Sequence, residues 1–325
     1  MKRRLFFLHA TLSAVALTVV TAGDVALAQT PDYPAKPIEL VVPFAAGGGT
    51  DALARAFGEA ARKHLAHAIV VVNKPGASSG IGLTEVANSR PDGYKIGLAT
   101  ADMDIIPHLG LTKTTYEKFV PVARLNADPS AITVRADSQY TSIEALLDAA
   151  RKTPGSVQVG NAGNGSIWHL AAAALEDKVG VKFNHIPFNG GNPAVLALLG
   201  GHVDAVAVSP AEVAPYVAAG KLKMLAVMAD QRVKGFESVP TLKERNIDLS
   251  IGTWRGIVAP RNTPPEVLDR LRSVARTAAA EPSLKAMMAK QNLGYAYADK
   301  DEFGAVMAKD YATFKALVVK LGLQQ

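Results

Sequence analysis

Short apolar runs rich in β-branched residues punctuate the chain, and each gives way to a loop and then to a segment with helical spacing. Ile38-Glu39-Leu40-Val41-Val42 is the first such run. Pro43-Phe44-Ala45-Ala46-Gly47-Gly48-Gly49 breaks it, and Thr50 or Asp51 is placed to cap a helix that carries Ala52, Leu53, Ala56 and Phe57. Ile69–Val72 repeats the pattern, Gly76-Ala77-Ser78-Ser79-Gly80 leads into a further helix, and Pro91-Asp92-Gly93 turns the chain into Lys95–Thr100. Strand and helix alternate, which predicts an α/β fold with a parallel sheet and crossover helices.

The alternation starts again near Ala131. Strands are expected at Ala131–Val134, Val157–Gly160, Val181–Pro187, Val203–Val208 and Lys223–Met228. Helices are expected at Ser142–Arg151, with Ser142 as cap, and at Ile167–Leu175, Pro193–Leu199 and Ala211–Ala218. Two α/β lobes follow from this repetition, residues 29–130 with 227–325 and residues 131–226. The end of the chain is different. After a strand at Thr253–Ala259, Thr263-Pro264-Pro265-Glu266 has the spacing of a capping box. Amphipathic helices follow at Val267–Val274, Glu281–Lys290 and Asp301–Leu321. Such tail helices are expected to pack back on the first lobe.

Residues 1–28 lie outside this grammar. Lys2, Arg3 and Arg4 precede an uncharged apolar stretch, with His9 as the one titratable group in it, and Ala26-Leu27-Ala28 is a small-x-small cleavage site. The segment reads as a secretory signal peptide. Arg3-Arg4 suits twin-arginine and general export alike. No cysteine follows the segment, so a lipid anchor is excluded. No later run reaches the roughly 18 apolar residues that span a bilayer. A soluble exported protein is expected, periplasmic in a bacterium with two membranes.

Composition narrows the chemistry. The 325 residues are 49% apolar and contain no cysteine, which removes disulfides, thiol nucleophiles and Cys-ligated metals. The formal net charge of +6 is scattered without a Lys/Arg block, and aromatics are only 6%, so no nucleic-acid surface is indicated. The glycine loop before Thr50 offers free backbone N–H groups at the positive end of a helix, a setting for a carboxylate, phosphate or sulfate. It lacks G-x-G-x-x-G and Gly-Lys-Ser/Thr spacing, against a nucleotide. Gly76–Gly80, Asn161–Ser166 and Asn189–Asn192 share its design, and all four would lie at carboxyl ends of strands. Such a cleft has hydroxyls and N–H groups but no evident general base, so it suits binding rather than catalysis. Gly76–Gly80 also matches G-x-S-x-G, but Asn73-Lys74-Pro75 separates Ser78 from its strand, against a nucleophile elbow. His64 and His67 have no third ligand at zinc spacing. No cofactor or metal is expected.

These residues carry a family resemblance. Tyr33-Pro34-Ala35-Lys36-Pro37-Ile38 with Val41–Asp51 resembles the mature start of Bug-type substrate-binding proteins of tripartite tricarboxylate transporters. Asn73–Ala77, Arg90-Pro91-Asp92-Gly93-Tyr94, Gly165-Ser166 with His169, Pro187-Phe188 with Gly190, Gly200–Asp204 and Trp254 with Gly256 follow in family order. The resemblance implies a two-lobed type II periplasmic-binding-protein fold that closes on a small carboxylate, with no enzymatic activity. Its partners would be the large and small membrane subunits of the transporter or, in the alternative, a sensor kinase. Carried over by position, the first lobe's site comprises Phe44, Ala45, Gly47, Gly48, Thr50, Asp51, Ala77, Ser78, Ser79 and Gly80. The second lobe's share comprises Asn161, Gly165, Ser166, His169, Phe188, Asn189 and Gly190. Two departures bear on the ligand. Ala101-Asp102-Met103-Asp104 replaces a Ser/Thr-His-like stretch, and Phe188-Asn189 replaces a Tyr-Lys pair. Asp102 and Asp104 would repel a second carboxylate or meet an ammonium group, so a monocarboxylate, an amino acid or an aromatic acid is expected.

Overall fold

The structure is a computed structural model and describes residues 33–324. Residues 1–28, expected to be a signal peptide, lie outside the described residues. β1 (Ile38–Val42), α1 (Gly49–Ala61), β2 (Ile69–Asn73), α2 (Gly80–Ala87) and β3 (Lys95–Thr100) follow in order. β1 runs parallel to β2 on one side and β3 on the other. Ile38, Leu40 and Val42 are wholly buried, as the central strand of a helix-covered sheet requires. Leu53 and Phe57 of α1 pack against them.

The chain then runs through β4 (Phe119–Pro129), β5 (Ala131–Arg135), α3 (Ile143–Lys152), β6 (Gln158–Asn161), α4 (Ile167–Val179), β7 (Asn184–Pro187), α5 (Gly191–Leu199), β8 (Ala205–Val208), α6 (Pro210–Ala218) and β9 (Leu222–Val227). It ends with β10 (Gly252–Pro260), α7 (Pro265–Ala280), α8 (Pro282–Lys290), β11 (Tyr295–Ala298) and α9 (Lys300–Lys320). A six-stranded sheet has the order β11-β4-β10-β3-β1-β2, and a five-stranded sheet has the order β7-β6-β8-β5-β9. The architecture is a two-lobed α/β fold with one sheet in each lobe.

Both sheets are mixed, which corrects the expectation of parallel ones. β10 is antiparallel to β3 and β4, β11 is antiparallel to β4, and β5 is antiparallel to β8 and β9. The reason lies in how the chain crosses between sheets. β4 continues into β5 through Ser130 with no crossover helix, and β10 returns alongside. Three backbone bonds tie the crossings together: Ser130 N–H to Ile251 O at 2.9 Å, Met228 N–H to Ser130 O at 2.8 Å and Ile251 N–H to Met228 O at 3.0 Å.

Two expected caps are corrected. Gly48, not Thr50 or Asp51, is the α1 N-cap. Thr263 forms no capping box. Its hydroxyl donates to the Pro260 carbonyl, and α7 starts after Pro264. Ser142 caps α3 by accepting the Ala145 N–H. No helix among the described residues is long and apolar enough to cross a membrane.

Candidate functional site

A cleft of about 690 Å³ opens between the two lobes. The first lobe supplies residues 43–45, 75–79 and Leu111, and the second supplies residues 162–164, 187–189 and Pro193. These are the loops after β1, β2, β6 and β7, at the carboxyl ends of parallel strands, where open α/β sheets present ligand sites. No lining residue has an ionisable side chain. Two hydrogen bonds join the lips, from Ala45 N–H to Asn189 O at 3.3 Å and from Ser78 Oγ to Asn164 O at 2.5 Å. The Ser78 hydroxyl thus donates to a carbonyl and faces no histidine base.

The loop after β2 is strained. Ala77, Ser78 and Ser79 all have positive φ, at 46°, 48° and 87°. Left-handed backbone costs non-glycine residues of order 1–3 kcal/mol each and persists only where the surroundings enforce it, commonly at ligand sites. The Ser79 hydroxyl, wholly buried on the cleft wall, has no partner in the protein. Asn161 Nδ2, just before the lining residues 162–164, is a second buried donor without a partner. Such groups are costly unless something accepts from them.

Behind the cleft lies a small chamber of about 20 Å³, with space for about one water. Phe44, Ala45 and Ala162 border both spaces. Arg255 is 1% exposed on the chamber wall. Its Nε donates to Thr50 Oγ1 at 2.9 Å, and its Nη1 donates to Asn126 Oδ1 and Asp128 Oδ2, each at 2.5 Å. Asp102 accepts from Thr100 and, across the lobes, from the Ile167 N–H at the start of α4 at 2.9 Å. Burial raises the Asp102 carboxyl above its ordinary value against the pull of these two bonds. Glu212 completes the wall.

The anticipated residues therefore divide. Phe44, Ala45, Ala77, Ser78, Ser79, Phe188 and Asn189 line the cleft, and Gly48, Thr50 and Asp102 line the chamber. The other eight line neither. Gly47 borders a groove beside α1. Asp51 turns into its own loop, where burial would raise its carboxyl but bonds from Arg55, Gly47 and Asn73 hold it low. Gly80 begins α2, and Asn161 Oδ1 accepts the Gly163 N–H. Ser166 caps α4 through the His169 N–H. Gly190 caps α5 at φ 125°, a left-handed backbone that favours glycine. His169 Nδ1 accepts the Gly165 N–H, and its ring meets His185 edge-on at 4.7 Å. Asp104 lines neither space, and it is wholly buried without a partner, raised well above its ordinary value first by burial and then by Asp310.

Burial, then the nearby His185, lowers His169 to about 4, so the fold holds it neutral. An unfolded histidine titrates near 6.5. The unfolded chain thus binds more protons between these values, and the stability His169 lends is whole above about pH 6.5 and is lost as pH falls toward 4. The loss should be about 2–3 kcal/mol. His169→Gln should flatten this limb in urea titrations at stepped pH. An unchanged pH profile in the variant would refute the assignment.

Sequence reasoning missed Arg255, Asp128, Asn126 and Glu212. Arg255 stands in an apolar strand, and its partners lie 127, 129 and 205 residues away. Glu212 did carry a local signal, since Ser209-Pro210-Ala211-Glu212 has capping-box spacing.

Residues 53–323 match the family model described as tripartite tricarboxylate transporter family receptor, TctC. A Cupriavidus necator protein, "UPF0065 protein in gbd 5'region", is 33% identical over 99% of both chains. A TctC solute binding protein from Polaromonas, solved with no ligand, is 58% identical over 89% of this chain and 99% of its own, with a TM-score of 0.67. The periplasmic binding protein BugD is 32% identical over 90% of this chain and 99% of its own, yet superposes at 0.86. Two structures with bound ligands, each 25% identical, are an R. palustris protein with adipate, at 0.84 over 90% of this chain and 99% of its own, and MatC from Rhodopseudomonas palustris with malate, at 0.82 over 88% and 100%. The chain belongs to the TctC family of tripartite tricarboxylate transporter receptors.

Proposed function

We propose that the protein is an extracytoplasmic receptor that closes on a small monocarboxylate with an apolar or aromatic body and presents it to the large and small membrane subunits of its transporter. Residues 1–28 direct export to the periplasm. Residues 29–130 with 227–325 form one lobe, and residues 131–226 form the other. The observation that carries the ligand class is the uncharged cleft: its walls are Phe44, Phe188, Leu111 and several prolines, with one unpaired donor, Ser79 Oγ, at one side. A carboxylate suits that donor and the α2 N-terminus beside it. A second carboxylate would find no cation. The adipate- and malate-bound relatives support a carboxylate as the shared element.

The test is thermal unfolding of residues 29–325 against a panel of mono-, di- and tricarboxylates and amino acids. A ligand that binds only the folded chain adds about 2.7 kcal/mol of stability at a hundredfold excess over Kd. Monocarboxylates with six or more carbons should give the largest shifts, and Ser79→Ala should weaken the best of them about tenfold, as loss of one hydrogen bond to a charged group predicts. Tricarboxylates leading the panel would overturn this reading.

A further inference from the structure

Glu212 stands on the first turn of α6, and its Oε2 accepts from Ser209 N–H at 3.2 Å and Oγ at 3.3 Å. Two further helix starts reach the same carboxyl. A Cβ on Gly191, the first residue of α5, would lie 2.2 Å from Oε1, and one on Gly48, the α1 N-cap, would lie 3.5 Å from it. Neither Gly48 nor Gly190 caps its helix with a side chain. The carboxyl therefore lies where three helix N-termini converge, two from one lobe and one from the other. Helix N-termini carry partial positive charge and free N–H groups. The Arg255 guanidinium adds a full charge, with Nη2 3.2 Å from the Cβ position of Gly49. Burial pushes the Glu212 carboxyl up and Asp128 adds to this, while Arg255 and the N–H groups of Ser209 and Gly49 pull it down. Glu212 also separates the inner chamber from a groove of about 440 Å³ beside α1 and α6.

We propose that Glu212 is a built-in carboxylate ligand: it fills the anion position between the lobes, ties α6 to the start of α1, and so leaves only the outer cleft for the carboxylate of an incoming solute. The glycine loop before α1 has the chemistry of an anion site, and the chain itself supplies the anion. The last clause rests on the receptor reading, but occupation of the site by Glu212 does not. Gly191 is the matching half of the device, since any side chain there would displace the carboxyl.

Shortening residue 212 should open a vacancy of carboxylate size that a free small carboxylate enters from the groove. The experiment is thermal unfolding of solute-free residues 29–325, wild type and Glu212→Ala, titrated with sodium formate and with sodium chloride at equal ionic strength. The variant should melt several degrees lower than the wild type, on the scale of about 2–4 °C per kcal/mol for a chain of this size. Formate at tens of millimolar, on the order expected for a small anion, should recover at least half of that loss while chloride does not and the wild type does not respond. Equal responses of variant and wild type to formate would overturn the proposal. If Glu212→Ala does not fold, Glu212→Gln decides at pH 8: it keeps the shape and removes the charge, so it should melt several degrees below the wild type, and an unchanged melting temperature overturns the proposal. Both arms are read without a cleft solute. Failure here leaves the receptor reading intact, and a silent ligand panel leaves this one intact.

Discussion

Arg255→Ala is expected to destabilise the protein by about 3–5 kcal/mol, because it removes one partner of a buried ion pair and leaves the other uncompensated. Asp128 is itself buried, at 4% exposure, so water cannot replace the lost cation. Thr50 and Asn126 would each lose a donor as well. The position is mechanically central, since β10 pairs with both β3 and β4 and forms one of the two crossings between lobes. Urea unfolding would show the loss as a lower midpoint at an unchanged m-value. Arg255→Met combined with Asp128→Asn should recover part of it, because the pair is then neutral at similar volume and only Glu212 still lacks its cation. Asp128 Oδ1 also accepts the Gly294 N–H, a bond the asparagine can keep through its carbonyl. A loss below about 1 kcal/mol in Arg255→Ala would mean that the guanidinium contributes no more than an exposed ion pair does.

What the sequence discloses and what it hides divide along contact range. β1, β2, β3 and β8 are short segments dominated by Val, Ile, Leu and Ala with Gly, Pro or Asp close by, and their positions follow from local pattern alone. β4 escapes that reading because Pro121 and Pro129 interrupt it and Arg124 and Asn126 stand within it. Its partner β10 supplies the pairing that overrides the weak local signal, with register shifts that accommodate the irregularities. β11 is only Tyr-Ala-Tyr-Ala, too short to declare itself before β4 pairs with it. Sheet direction was equally hidden, since it depends on two crossings far apart in the chain. The outer cleft was legible because its loops concentrate glycine, serine and asparagine at strand ends. The chamber behind it was legible only in Gly48, Thr50 and Asp102, because Arg255 and Glu212 reach it from distant elements. The anion site expected at Gly47–Gly49 could not be placed from local pattern, since the Glu212 carboxyl that approaches Gly48 comes from a distant helix.

Asn189→Lys should shift the receptor's preference toward dicarboxylates by about a hundredfold relative to the best monocarboxylate, the size expected when a desolvated charge gains a partner. Asn189 lies on the cleft wall, and its carbonyl accepts the Ala45 N–H. That bond belongs to the backbone, so the substitution can leave loop geometry in place while adding a cation. The cleft supplies no ionisable side chain of its own to compete for the new ammonium. On the monocarboxylate reading, a dicarboxylate entering the wild type leaves its second carboxylate beside Phe44 and Phe188 with no cationic side chain to pair with. The lysine supplies that cation for dicarboxylates. For a monocarboxylate it offers only a longer-range attraction, so the ratio of affinities moves more than either affinity alone. Isothermal titration of wild type and variant with hexanoate and adipate would measure the ratio directly. Because Ser79 still holds the first carboxylate in this account, Ser79→Ala added to Asn189→Lys should weaken both ligands by a similar factor. If the ratio does not change, the second carboxylate is held away from Asn189, and the uncharged wall around residues 187–189 does not set the ligand's charge.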